Sequence, residues 1–265
     1  MPYGQRAYSA PLDRSLILLS RTSLASEIFE LTFQTEPGLN LIPGHFVHLA
    51  LESFPLRRPL SVAGYESGSG VLTLIVQDVG KGSHALCGLE PRTCLRGLLP
   101  LGTPFPMERV MQALKEGRQV WVVGGGIGLA PLLFCVWKLG EAGFSVVNFL
   151  GFRDKEHVFK VREFQDCGKT LVSIGGFVTD LLPEALREGS PDLLLACGPT
   201  PMLRALQKIC AEHKIDALAS LEERMGCGIG ACLVCSCKVQ KRASFDYQRV
   251  CKDGPVFDLA EVSFE

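Results

Sequence analysis

Four cysteines near the C-terminal end, Cys227, Cys232, Cys235 and Cys251, are the residues of this sequence best equipped for chemistry. The first three share one glycine-rich stretch from Gly226 to Cys235, spaced C-x4-C-x2-C. The fourth follows in Arg249-Val250-Cys251-Lys252-Asp253-Gly254. Thiolates in this pattern have the spacing of a plant-type [2Fe–2S] centre, and four of them supply the negative charge that two ferric ions require. Gly226, Gly228 and Gly230 let the loop turn tightly and aim backbone N–H groups at sulfur. Structural zinc usually takes two close cysteine pairs, whereas three of these residues crowd one loop. Zinc and plain buried thiols remain the alternative readings. Cys237 would break the x2 spacing and stays outside the ligand set.

A second chemistry is written in Gly124-Gly125-Gly126-Ile127-Gly128-Leu129-Ala130-Pro131. This stretch follows an apolar run, Gln119–Val123, and opens a helical pattern reaching Leu139. A strand, a glycine turn and a helix N-terminus together form a diphosphate cradle, with free N–H donors and a favourable dipole. Pro131 stands where a third glycine is usual, and proline is tolerated in a first helical turn. Alone, such a loop is also the signature of an ordinary strand–helix turn. Cys197-Gly198-Pro199 is another turn of this kind after the buried run Leu193–Cys197, so the two turns face one crevice and predict a nicotinamide dinucleotide site. Gly175-Gly176-Phe177-Val178-Thr179-Asp180 is a third loop on that edge, equally readable as a helix cap.

In the N-terminal half, Arg58-Pro59-Leu60-Ser61 joins a fixed cation to a strand hydroxyl. Arg58 has the planar fork to clamp a diphosphate, and Ser61 can reach the polar edge of a flavin ring. Gly80-Lys81-Gly82-Ser83 is a further anion cradle, or a plain solvated turn. His45 reads as a structural histidine rather than a proton relay.

These motifs need elements to hold them. Residues 1–106 carry short β-rich runs at Leu16–Leu19, Ile28–Gln34, Phe46–Leu51, Leu60–Ala63 and Val71–Gln77, with turn signals between them, which predicts a small antiparallel barrel. Residues 107–218 alternate strands and helices and predict a parallel sheet covered on both faces. Residues 219–265 form a small cluster segment, too short for a large core of its own. A net charge of −1 gives no electrostatic reason to expect nucleic acid or an anionic membrane as partner. The longest apolar stretch is too short to span a bilayer, and no leader is evident in residues 1–15. Eleven cysteines then fit a reducing cytoplasm.

Taken in order, these motifs resemble the ferredoxin–NADP reductase family, a flavin-binding barrel followed by a nicotinamide-binding domain. The stretches Leu221–Cys232 and Arg249–Phe257 resemble, more narrowly, the electron transfer subunits of NAD-linked, heteromeric dihydroorotate dehydrogenases. Arg57–Val62, Gly80–Gly82 and Gly176–Asp180 match that subfamily too, and the resemblance runs from about residue 15 to 260. It implies FAD in the barrel, touched by Arg58, Pro59, Leu60 and Ser61, with Gly80, Lys81, Gly82 and Ser83 near its diphosphate. It implies NAD over Gly124, Gly126, Gly128 and Pro131, with Cys197, Gly198 and Pro199 near the nicotinamide, and Ser61 and Cys197 as the catalytic contacts. It also implies a partner, an FMN-containing subunit that oxidises dihydroorotate to orotate in pyrimidine biosynthesis, in a 2+2 heterotetramer. Single electrons would enter through the cluster, and FAD would convert them to a two-electron transfer. The alternative is the same module serving a ferredoxin, a hydrogenase or a sulfur-compound reductase. Arg153 and Lys155 beside Asp154 and Glu156 leave NAD against NADP open.

Overall fold

The computed structural model describes residues 11–241 and 244–264. Residues 1–10, on which the reading of a leader-free start partly rests, lie outside them.

Strands β1 (Leu12–Ala25), β2 (Ile28–Gln34), β3 (Phe46–Leu49), β4 (Arg58–Glu66) and β5 (Val71–Gln77), helix α1 (Lys81–Cys87) and strand β6 (Cys94–Leu101) make the first unit. The strands close into an antiparallel barrel in the order β1-β2-β5-β4-β3-β6. Period-2 alternation drives it: Leu16 and Leu18 of β1 and Leu31 and Phe33 of β2 point inward with Val47, Leu49, Val62, Leu72 and Leu74. Closure leaves no sheet edge exposed.

Helix α2 (Met107–Lys115) leads to β7 (Val120–Gly125), α3 (Leu129–Glu141), β8 (Val147–Phe152), α4 (Val161–Gln165), β9 (Thr170–Ile174), α5 (Leu182–Glu188), β10 (Leu193–Cys197), α6 (Thr200–His213) and β11 (Asp216–Ser220). Strands β7 to β11 pair in parallel. Both faces of this sheet are covered, which is why β7 and β10 read as unbroken apolar runs. Helix α3 is apolar on nearly every side because it is sandwiched: it covers the sheet and packs on β4 of the barrel, and Leu129 and Leu133 share one core with Ala63 and Ile75.

The C-terminal segment adds β12 (Ser236–Lys241), β13 (Ser244–Arg249), β14 (Val256–Asp258) and β15 (Val262–Ser263). It borrows its core: Val239, Val250, Phe257, Leu259 and Val262 bury against Leu194, Leu203 and Ala219. Strand β14 pairs antiparallel with β11, so the sheet is mixed at one edge and its order is β14-β11-β10-β7-β8-β9. Thr103 Oγ1 donates to the Lys252 carbonyl at 3.0 Å and ties the end of the barrel to the same segment.

Candidate functional site

Arg58, Pro59, Leu60 and Ser61 start β4 and line one wall of a cleft of about 940 Å³, within the range of cofactor sites. Gly80, Lys81, Gly82 and Ser83 form the opposite rim, where α1 begins. The expected turn is thus the start of a short helix. Ser83 Oγ holds it by accepting from the Gly80 N–H at 2.9 Å and the Val79 N–H at 3.0 Å. The Arg58 guanidinium lies 4.7 Å above the Phe54 ring and donates to the Leu56 carbonyl at 2.7 Å. It also presses so closely on Gly82 that a Cβ there would overlap it. The two stretches expected to cradle an anion therefore converge on one spot.

Leu221, Glu222, Glu223, Arg224 and Met225 line the same cleft. The stretch that leads into the cysteine loop is thus a wall of the flavin-sized site. Glu222 faces open space in the cleft yet is walled by protein, and that burial raises its carboxyl above the ordinary range. Glu222, Glu223 and Phe54 were not among the expected site residues. Their only sequence signal is proximity to Arg58 and to Cys227.

The two glycine turns meet. A Cβ at Gly128 would lie 2.5 Å from the Cys197 carbonyl oxygen and 2.7 Å from Gly198 Cα, so the backbones touch. Gly126 faces open space, whereas Gly124 lies within β7 with Leu129 and Leu132 closing its side, so helix–sheet packing explains a glycine there. Pro131 is buried in the first turn of α3. A second cavity of about 310 Å³ opens at Gly198 and Pro199 and shares Glu222 and Glu223 with the larger cleft. The Cys197 thiol is only 1% exposed, and burial, then the Glu222 charge, push it well above the ordinary thiol range. A thiol held there stays protonated, so any contact it makes is that of a neutral group. Replacing Gly128 with alanine should raise KM for NADH about tenfold by displacing the turn, with FAD content unchanged; steady-state kinetics beside a flavin count checks this.

The four cysteines gather as two neighbouring pairs. The Cys227 N–H points at Cys232 Sγ at 3.4 Å, and the Cys251 N–H at Cys235 Sγ at 3.4 Å. Among the described residues, no group of three or more His, Cys, Asp or Glu side chains converges tightly enough to grip a metal ion. The N–H groups of Ala231 and Cys232 approach Cys227 Sγ at 3.3 and 3.4 Å. Burial pushes the Cys227 thiol up, but N–H donors from Ile229, Cys232 and Ala231 outweigh it and bring it down to about 6. Donors that favour a thiolate also favour a metal–sulfur bond, so the set fits an iron–sulfur centre. Burial, then Cys235, push Cys251 up to about 12. A bound metal supplies the positive charge that such a site demands. Cys237 is pushed up to about 11, mainly by burial, and lines the smaller cavity instead.

Arg249 braces the loop, donating to the Gly230 carbonyl at 3.0 Å while its fork grips Asp253 at 2.8 and 3.0 Å. An Arg249→Ala chain should fold but lose its cluster several-fold faster in air, read from the decay of visible absorption. His45 is held in place: its Nδ1 accepts from the Ile42 N–H at 3.0 Å, and burial lowers the ring to about 4.

A barrel with an Arg–Ser strand, a glycine-turn sheet beside it and a cysteine loop between them define a ferredoxin-reductase-type electron transfer module. A structure of an NADH-dependent reduced ferredoxin–NADP oxidoreductase superposes with a TM-score of 0.79 at 27% identity, over 98% of this chain and 91% of that one. The ferredoxin–NADP+ reductase of Plasmodium falciparum shares the fold, with a TM-score of 0.62 at 13% identity over 77% of this chain and 90% of its own. The iron–sulfur cluster binding domain of dihydroorotate dehydrogenase B matches residues 222–263. The electron transfer subunit of dihydroorotate dehydrogenase B (NAD(+)) from Shouchella clausii is 36% identical over 93% of this chain and 96% of its own length. That of a Geobacillus strain is 42% identical over 83% and 86%. The chain belongs to this family of electron transfer subunits.

Proposed function

We propose that this chain carries electrons from a dihydroorotate-oxidising, FMN-containing subunit to NAD+ in pyrimidine biosynthesis. The observation that carries the reading is the shared wall: Leu221–Met225 lines the cleft of Arg58, Ser61 and Gly82 and runs directly into Cys227. FAD in that cleft supplies the exchange between one- and two-electron transfer, and the iron–sulfur centre supplies single-electron entry. In this reading Cys227, Cys232, Cys235 and Cys251 hold the cluster. Arg58 and the start of α1 hold the flavin diphosphate, and Ser61 touches the ring. Gly126 and Gly128 admit the NAD diphosphate, while Gly198 and Pro199 seat the nicotinamide.

The partner would meet the loop face, where Ile229, Leu233 and Val234 are 48%, 62% and 58% exposed. Phe245 and Tyr247 stand exposed on the neighbouring strand. A 2+2 assembly and a cytoplasmic setting, where thiols bind metal or stay reduced, complete the reading. Among the described residues no helix is long and apolar enough to cross a membrane. The barrel, nucleotide and cluster units are taken as residues 1–106, 107–218 and 219–265.

Co-expression with the FMN-containing subunit tests this. The two should co-elute and reduce NAD+ with dihydroorotate only together. Failure to co-elute, with activity restored by a ferredoxin or another donor, would reassign the module.

A further inference from the structure

A second histidine, His48 on β3, is fully buried, and neither ring nitrogen has a hydrogen-bond partner. His45, three residues earlier, has such a partner. A buried polar group left unmatched is costly unless something completes it. Side chains on one face of a strand alternate, so Phe46 and His48 project the same way. Phe46 lines the flavin cleft and shares a core with Cys235 and Cys251. His48 meets the cysteine loop itself: a Cβ at Gly228 would lie 2.5 Å from its Nδ1 and 3.2 Å from its Cε1. Gly228, at φ +72, is the residue that admits the ring. The main chains of Arg57, on the barrel side, and of Cys227, on the loop side, are both near enough to act on the ring. A neutral imidazole offers one N–H donor and one acceptor nitrogen.

We propose that His48 is a positioning residue for the iron–sulfur centre, directing its ring N–H at the cluster loop beside Cys227 and thereby favouring the reduced centre. The inference rests on the cysteines being the cluster ligands. Reduction adds one negative charge, and an N–H dipole aimed at that charge stabilises it, as donors around metal ligands do.

The test is an EPR-monitored potentiometric titration of the cluster in the complex, comparing the native chain with H48N and H48L. H48N keeps an N–H donor; H48L keeps bulk without one. H48L should shift the reduction equilibrium about tenfold towards the oxidised cluster, ~59 mV for one electron. Its EPR line shape should change as well, while H48N stays near native. Loss of cluster from H48L but not from H48N would also support the role. Coincident potentials for H48L and the native chain would overturn it, and so would equal cluster loss from both variants, since packing alone would explain that. A native chain with no reduced-cluster signal would overturn the cysteine assignment itself, a separable failure.

Discussion

Replacing Cys232 with serine is expected to abolish dihydroorotate-driven NAD+ reduction in the assembled complex, by at least on the order of 100-fold. NADH oxidation by an artificial two-electron acceptor should continue. The split follows from where the parts sit. Cys232 lies on the exposed side of the loop and accepts the Cys227 N–H at 3.4 Å, so losing its sulfur removes one of a pair. Even indirect partners of metal ligands contribute 10- to 100-fold, roughly, so a ligand contributes more. The flavin cleft depends instead on β4 and α1, whose core of Val62, Leu74 and Leu86 contains no cluster residue. Paired assays with an iron count check the prediction. Equal loss of both activities would mean that the loop supports the flavin site rather than the electron path.

An Arg58→Ala chain should bind FAD about 10- to 150-fold more weakly, the equivalent of about 1.5–3 kcal/mol for a charge-assisted hydrogen bond. Arg58 is stacked on Phe54 at 4.7 Å and wedged against Gly82, so its fork is already oriented before any ligand arrives. Lysine keeps the charge and loses the fork, and Arg58→Lys should recover only part of the affinity. The iron content of both variants should stay native. Flavin released on ultrafiltration is the readout; FAD retained fully by Arg58→Ala would move the diphosphate away from this wall.

How far the sequence alone reaches is clear from particular residues. Strands β2 and β5 were legible end to end because Ile28–Gln34 and Val71–Gln77 are β-rich runs bounded by turn signals. Strand β6 was not, since Arg96, Gly97 and Pro100 interrupt its pattern; Gly97 is there because Leu16 and Leu49 fill the barrel beside it. Strands β9 and β11 are as short as β10 but mix in Thr170, Ser173, Asp216 and Ser220, so they lack the unbroken apolar run that marks β10. The antiparallel edge strand β14 is set by the docking of the cluster segment, which no local signal announces. At the candidate site, spacing pointed to the four cysteines, and strand–helix context pointed to both glycine turns. His48, Phe54 and Glu222 stayed hidden, because their significance comes from which loop the fold lays against them.

The electron path is tested most directly by a visible spectrum of the anaerobically purified chain before and after NADH is added. Flavin bands over broad iron–sulfur absorption are expected, both bleached by NADH, because the larger cleft takes in Ile127 of the first glycine turn together with Leu221–Met225, which leads into the cysteine loop. A colourless or zinc-bearing protein, or absorption that NADH leaves unchanged, would contradict that path.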